Sequence, residues 1–399
     1  MQLFSDVHST TRSVRPSAIS LASLAAAVLM LGGSAASAQT ASFVYRLGKD
    51  TIAIEQFTHT ATRLSGEMVQ RSGTAIARVQ YDLELGKDGR PVAASIKRML
   101  ADGSVAPNQP SETRFKVGAD SVVREVVFAD SVQRRAFAAQ KAMINFPTFI
   151  YGPTELLAAM RKAGSKTDSL PAIGAAGGQQ LTGFTSGGAD TVRLRGGAYA
   201  MVLRYDSNSR LLSVDGSGTT NKAMATRGAG GLDIASIAKA MKPTGTLSAR
   251  DVARGAFGQG GIVLVDYGRP QVRDRTVWGG MLVPMDSVWR AGANDATHLF
   301  TSRTLTFGSL VVPPGAYTLW IQYGASGATM IINKGIGQWG TQYDAAQDLG
   351  RVPMIASATP SHVEELTVTV KSQGPTRGAI EFAWGPTAMT AAFTATVVR

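Results

Sequence analysis

Apolar and polar residues alternate along most of this chain. From Ala75 to Leu85, Ala75, Ala77, Val79, Tyr81, Leu83 and Leu85 fall on one side, and Ile76, Arg78, Gln80, Asp82 and Glu84 on the other. Such a period of two marks a strand of an antiparallel sheet with one face buried. Phe43–Tyr45 and Thr51–Phe57 carry the pattern on either side of Gly48-Lys49-Asp50, a hairpin turn signal. Lys87-Asp88-Gly89 and Asp206-Ser207-Asn208 punctuate further strands, among them Val122–Phe128, Met201–Tyr205 and Leu211–Val214. Residues 171–197 hold eight Gly and predict loop plus a short strand at Val192–Leu194.

Two segments change period. Pro153–Lys162 carries Leu156, Leu157 and Met160 on one helical face. Leu232–Met241 places Leu232, Ile234, Ile237, Ala238 and Met241 at helical spacing, with Asp233 or a preceding Gly as cap and Pro243 beyond its end. The economical arrangement for residues 39–228 is a curved antiparallel sheet with one helix on its concave face. Phe146, Phe149, Leu156 and Met160 then fill its core. Residues 229–261 read as a Gly-rich linker with a short helix. Residues 262–399 alternate again in Ile262–Tyr267, Tyr317–Tyr323, Leu366–Val370, Ala379–Trp384 and Met389–Val397, with a turn at Pro313-Pro314-Gly315. Short strands with such turns predict a β-sandwich or barrel. The fold class is therefore all-β, mainly antiparallel, in two bodies.

Residues 1–38 break both patterns. Arg12 and Arg15 precede an apolar run, Leu21–Leu31, and Ala36-Ser37-Ala38 is a small-x-small cleavage site. This is a signal peptide pattern that leaves a mature chain from Gln39. The run is about half of the roughly 20 residues that a membrane span needs, and no second run approaches that length. A periplasmic or secreted location follows as an expectation, with no transmembrane segment in the mature chain. The sequence has no Cys, so stability must come from core burial.

Charge and aromatic content divide the mature chain. Residues 39–260 carry 28 Lys+Arg against 18 Asp+Glu, and residues 261–399 carry 10 against 9. The five Trp all follow residue 261. The N-terminal excess suits dispersed charge on strand faces, or an anionic envelope surface as neighbour. Export disfavours nucleic acid as a partner.

Several blocks of the C-terminal part occur in the order of one family. Tyr267-Gly268-Arg269-Pro270 precedes Trp278-Gly279-Gly280 and Val283-Pro284, then Val288-Trp289-Arg290-Ala291-Gly292-Ala293-Asn294. Pro314–Leu319, Ile332-Asn333-Lys334, Gln338-Trp339-Gly340 and Tyr343-Asp344 follow. Residues 262–399 resemble the bacterial family called domain of unknown function 2911, with Asp295 and Ala291 standing where Glu and Thr are expected. That resemblance implies a fold and no reaction. The strand order and turn pattern near Arg204–Val214 make residues 39–228 similar to half-barrel carriers of bacterial envelopes, which implies an apolar molecule held between sheet and helix.

Catalytic templates find no match. His59, His298 and His362 lack ligand-spaced partners, there is no thiol, and no Gly-x-Ser-x-Gly elbow occurs. Gly335–Gly340 spells Gly-x-Gly-x-x-Gly, but a dinucleotide site needs a helix at the third Gly and a parallel sheet. No cofactor or metal is expected. What remains is a polar set within the motif blocks: Arg269, Arg290, Asn294, Asn333, Trp339 and Asp348. Arg forks, Asn amides and a Trp face suit an anionic or sugar-like small ligand; the same residues also serve as loop fasteners. Trp320 lies on the polar side of its strand, as an exposed sugar platform or covered by the other body. The expectation is an exported envelope protein that binds a ligand or envelope component without turnover. The alternatives are a hydrolase using the Arg290/Asn294 region and a carbohydrate-binding module using Trp320 or Trp339 with Tyr343.

Overall fold

The computed structural model describes residues 38–139, 142–157, 167–175, 178–186, 190–196, 199–219 and 221–396. The leader pattern lies outside them but for Ala38, as does Met160. No helix among the described residues is long and apolar enough to cross a membrane. The fold is all-β, and among the described residues its strands pair antiparallel except for β9 (Met143–Asn145) with β10 (Thr167–Gly174).

Eight strands run as a meander from β1 (Gln39–Leu47) to β8 (Val132–Ala138), and seven more from β9 (Met143–Asn145) to β15 (Met224–Ala229). They form one sheet, ordered β8 back to β1, then β15 back to β9. The seam is the β1–β15 ladder, where Phe43 pairs with Arg227. Laid flat, fifteen strands would span about 67 Å. Yet Ala138 and Met143, at opposite edges, are five residues apart and so no more than about 18 Å. The sheet must therefore curl. A side chain joins the strands next to its two edges: Arg124, in β7 (Ser121–Val127), donates to the Gly174 carbonyl of β10 at 2.9 Å. The Gly-rich stretch expected to be loop instead forms most of β10 and β11 (Gln179–Ser186), because neighbouring ladders supply what local propensity lacks.

The concave face carries the expected apolar positions of β1, β2 (Asp50–His59) and β4 (Ile76–Leu85), including Phe43, Tyr45, Phe57, Tyr81 and Leu83. Segment 146–157 packs into it, and its helical part is a 3-10 turn, Gly152–Leu156. Phe149 and Leu156 are buried in the core, as the sequence suggests, with Leu157 beside them. The part of the expected helix beyond Leu157 lies outside the described residues.

Two buried carboxylates fasten this turn. Glu55 is fully buried and accepts from the Tyr45 and Tyr81 hydroxyls, each at 2.5 Å, and from the Tyr151 and Gly152 amides at 3.0 Å. Tyr81 reaches it by crossing Gly66, its partner in β3 (Arg63–Arg71); a Cβ there would lie 2.4 Å from the Tyr81 hydroxyl. Burial raises the Glu55 pKa against the opposing pull of these donors. Glu155 accepts from Arg227 Nη1 at 2.5 Å, from the Leu211 amide at 3.0 Å, and meets His59 Nδ1 at 3.3 Å.

The second expected helix forms as α1 (Ile234–Ala240), N-capped by the Asp233 carboxylate on the Ser236 amide. It covers the opposite sheet face, packing Ile234 and Ala238 on Val69 and Ile76. Arg250–Phe257, inside the expected linker, is a strand, β16, paired with β17 (Gly261–Gly268). From there the chain forms a seven-stranded and a four-stranded sheet around a shared apolar core that includes Tyr267, Trp289, Phe382 and Trp384. Ala379–Trp384 and Met389–Val397 are expected as two strands; the first and residues 389–396 of the second belong to one, β26 (Arg377–Thr396), and Val397 lies outside the described residues. Gly385 at φ 65° and Pro386 sit at an irregularity where residues 359–362 of β25 (Ile355–Ser372) bulge, so the missing Pro N–H breaks no ladder bond.

Candidate anion-binding site

A pocket of about 170 Å³ opens where the turn after β14 (Leu211–Gly218) meets the loops of the C-terminal sheets. Lys222 enters it from that turn with φ 48°. Thr219 Oγ1 donates to the Gly216 carbonyl at 2.6 Å and accepts the Lys222 amide at 3.2 Å, which fixes the turn. The Lys222 ammonium donates to the Ser217 carbonyl at 3.1 Å and, across the pocket, to the Met281 carbonyl at 3.0 Å.

Arg273 and Arg275 come from the loop after β17. Arg273 is ion-paired with Asp50 of the first hairpin. The hairpin comes this close because Gly48, at φ 61°, has no Cβ; one would lie 2.1 Å from the Arg273 carbonyl oxygen. Arg275 folds over its own turn, donating to the carbonyls of Val272 at 2.9 Å and Gln271 at 2.7 Å. Arg290 follows β18 (Val288–Trp289) and is 8% exposed. Gly340 is pressed against it, with room for no side chain: a Cβ would lie 2.2 Å from Arg290 Cδ.

Trp289 and Trp384 form an apolar wall, stacked with centroids 5.5 Å apart. Trp384 is 1% exposed, and its indole N–H is buried without an acceptor among the described residues.

The electrostatics are one-sided. Four cations line the pocket, Lys222, Arg273, Arg275 and Arg290, and no carboxylate does. Burial, then the charges of Arg290 and Arg275, push the Lys222 ammonium down to about 8. Burial and then Arg273 push Arg275 down to about 10, against the opposite pull of Glu364 and Asp50. An oxyanion offers the acceptors that forked guanidiniums and an ammonium pair with.

Of the residues singled out from the sequence, Arg290 and Asn294 line this pocket, Asn294 exposed at φ 63°. The others lie elsewhere. Arg269 binds Glu365 at 3.2 Å and Asp251 at 3.6 Å. Asn333 is buried, donating to Asp348 and the Asp344 carbonyl and accepting from the Gly335 amide. The other oxygen of Asp348 accepts from Tyr343 at 2.6 Å and Arg351 at 3.0 Å. Trp339 bridges to Asp295. Trp320 is neither an exposed platform nor covered by the N-terminal sheet: it is buried against Ala296, Ile331 and Tyr343 of its own region, its indole N–H on Thr318 Oγ1 at 3.1 Å. In Gly335–Gly340 no helix opens, and the Gly337 amide donates to His298 Nε2 at 3.0 Å. Sequence reasoning missed Lys222, Arg273, Arg275 and Trp384. Arg273-Asp274-Arg275, just after the Tyr267–Pro270 block, was the available signal; nothing local marks Lys222.

No curated protein matches the chain. The crystal structure of a DUF1089 family protein from Pseudomonas aeruginosa is 12% identical, with a TM-score of 0.32, the match covering 42% of this chain and 90% of that one. Residues 248–393 match the model of a family described as a protein of unknown function (DUF2911), which bears out the resemblance read from the motif blocks and extends it back over β16.

Proposed function

We propose that this is an exported bacterial protein that binds a small anionic ligand, without turnover, at the pocket of Lys222, Arg275 and Arg290. The observation that carries this reading is a pocket wall holding four cations and no carboxylate. Arg273 is neutralised by Asp50. Burial, then the charges of Arg290 and Arg275, lower the Lys222 pKa, and an oxyanion beside the ammonium would favour its charged form. The leader pattern of residues 1–38 supports export, and the basic excess of residues 39–260 supports an anionic envelope surface as neighbour.

Binding is favoured over hydrolysis by the disposition of the one hydroxyl and the one amine on the wall. Ser248 and Lys222 share the pocket, but the ammonium is turned to two carbonyl oxygens. A nucleophile needs a base within hydrogen-bonding reach. The test is calorimetric titration of the full chain with inorganic phosphate and with acetate at pH 7. Saturable binding is expected, weakened about tenfold or more in Lys222→Met, since a charged hydrogen bond contributes about 1.5–3 kcal/mol. Heats no larger than dilution for both anions refute the reading.

A further inference from the structure

The Gly335–Gly340 loop runs beside the block that brings Arg290 and Asn294 to the pocket. The Ala296 amide donates to the Gln338 carbonyl at 3.2 Å, Asp295 bridges to Trp339, and the Gly340 amide donates to the Asn294 carbonyl at 3.0 Å. This pairing seats Gly340 on the Arg290 stem, where a side chain has no room. The tip of the loop, Gly337 at φ 77°, is held by a histidine: its amide donates at 3.0 Å to Nε2 of His298, in β19 (Thr297–Thr301).

An amide N–H only donates, so this Nε2 is the bare nitrogen of a neutral imidazole. The ring proton is then on Nδ1, which faces the Ala296 carbonyl. A second proton would set an N–H against the Gly337 N–H and abolish the bond. Three charged groups face the ring: Arg250 from β16, Asp266 from β17 and Asp295 from the loop before β19. Arg250 is held there, donating to Asp266 at 2.9 Å and to the carbonyls of Asp295 at 3.4 Å and Ala296 at 3.3 Å. Phe300 stacks on the ring with centroids 6.1 Å apart. Burial, then Arg250, hold the His298 pKa below its ordinary value, against the pull of Asp266 and Asp295. What the neutral ring contributes is therefore present above the ordinary value and lost as pH falls through the lowered one.

We infer that Gly335–Gly340 is a pH-sensitive clasp on the anion pocket, shut while His298 is neutral and released when its imidazole takes up a second proton. Release frees Gly337, frays the pairing of Gln338–Gly340 and unseats Gly340 from Arg290, so the guanidinium is no longer pre-positioned for a ligand. The inference rests on the anion-binding reading and adds a regulation to it. Its sign is distinctive. Acidification weakens anion binding, whereas a bare gain of positive charge beside the pocket would strengthen it.

The experiment titrates the full chain calorimetrically with inorganic sulfate, whose charge is constant from about pH 7.5 to about pH 4.5, a range that brackets the ordinary histidine value. The His298 midpoint is read by nuclear magnetic resonance of histidine-labelled protein, and amide exchange of residues 335–340, corrected for its intrinsic rate, by mass spectrometry. Sulfate affinity should fall about fivefold or more on acidification, with the His298 midpoint. Loop exchange should rise about fivefold at the same midpoint, as one hydrogen bond is lost. Saturating sulfate should lower the His298 midpoint by reciprocity, while direct attraction between anion and imidazolium would raise it. His298→Gln, whose side-chain oxygen accepts from Gly337 and does not titrate, should keep the affinity level across the range. Affinity that stays flat or rises as His298 titrates, a midpoint raised by sulfate, or a fall that persists in His298→Gln overturns the clasp and leaves the anion pocket standing. Absence of sulfate binding at every pH overturns the anion-binding reading and this regulation with it. The unmodified protein supplies the affinity, the midpoint and the exchange, so a variant that fails to fold leaves the test intact.

Discussion

Arg227→Met tests whether the buried ion pair holds the 3-10 turn in the sheet. Arg227 Nη1 lies 2.5 Å from Glu155 Oε1 and also donates to the Leu211 carbonyl at 2.9 Å, while its guanidinium sits 5.4 Å from the Phe57 ring centre. Glu155 is 5% exposed, so without Arg227 its charge remains in the interior, where among the described residues the Leu211 amide and His59 are its other partners. Removing one partner of a buried pair costs about 3–5 kcal/mol, most of it the penalty of the stranded charge. The cation–π contact adds about 0.5–2 kcal/mol to the loss. Urea denaturation, followed by far-ultraviolet circular dichroism, measures the change. Glu155→Gln in the same background should recover more than half of the loss, because a neutral amide tolerates burial where a carboxylate does not. A single-variant loss under 1 kcal/mol, or a double variant as unstable as the single, would refute the assigned role of the pair.

Three further outcomes follow from the same chemistry. Burial raises the Glu55 pKa, so between the ordinary carboxylate value and the raised one the folded chain binds more protons than the unfolded. Its contribution to stability is therefore complete at low pH and is lost as pH climbs through the raised value; denaturation midpoints across pH should show this decline, and Glu55→Gln should flatten it. Phosphate affinity should fall as pH rises through about 8, where Lys222 loses its proton, and Lys222→Arg should remove that fall in a calorimetric pH series. Asn333→Ala should cost about 1–3 kcal/mol in denaturation, since it strands the half-buried Gly335 amide and an Asp348 oxygen. The same variant should bind phosphate with unchanged affinity.

The strands were legible where alternation was strict. Ala75–Leu85 needed no tertiary information, because every second residue was apolar and the observed β4 faces agree with that reading. The short α1 helix was legible from spacing and its Asp233 cap. The strands β10 and β11 were hidden by glycine, whose local preference is for turns, while the ladders that hold them come from elsewhere in the chain. The buried carboxylates were hidden for a different reason. Glu55 alternates with Ile54 and Gln56, and only the approach of Tyr45, Tyr81 and the turn at Tyr151–Gly152 makes its burial tolerable. The candidate site was half legible. Arg290 and Asn294 stood in a recognisable block, but Lys222 joins them because the turn after β14 meets the loops of the C-terminal sheets, which no local pattern encodes. Asn333 and Asp348 attracted attention for the same motif context, and they fasten the loop around Tyr343 instead.

The β1–β15 seam has a kinetic consequence. Apart from the parallel β9–β10 pair, each half of the fifteen-stranded sheet grows by antiparallel pairing of neighbours in sequence, which closes quickly. The seam joins residues 178 to 188 positions apart and must wait for both. A chain emerging N-terminus first therefore carries an open strand margin at β1 until Met224–Ala229 arrives to cover it. That interval is when the nascent protein is most exposed to self-association, and when a chaperone that masks bare strand margins would have the most to offer it.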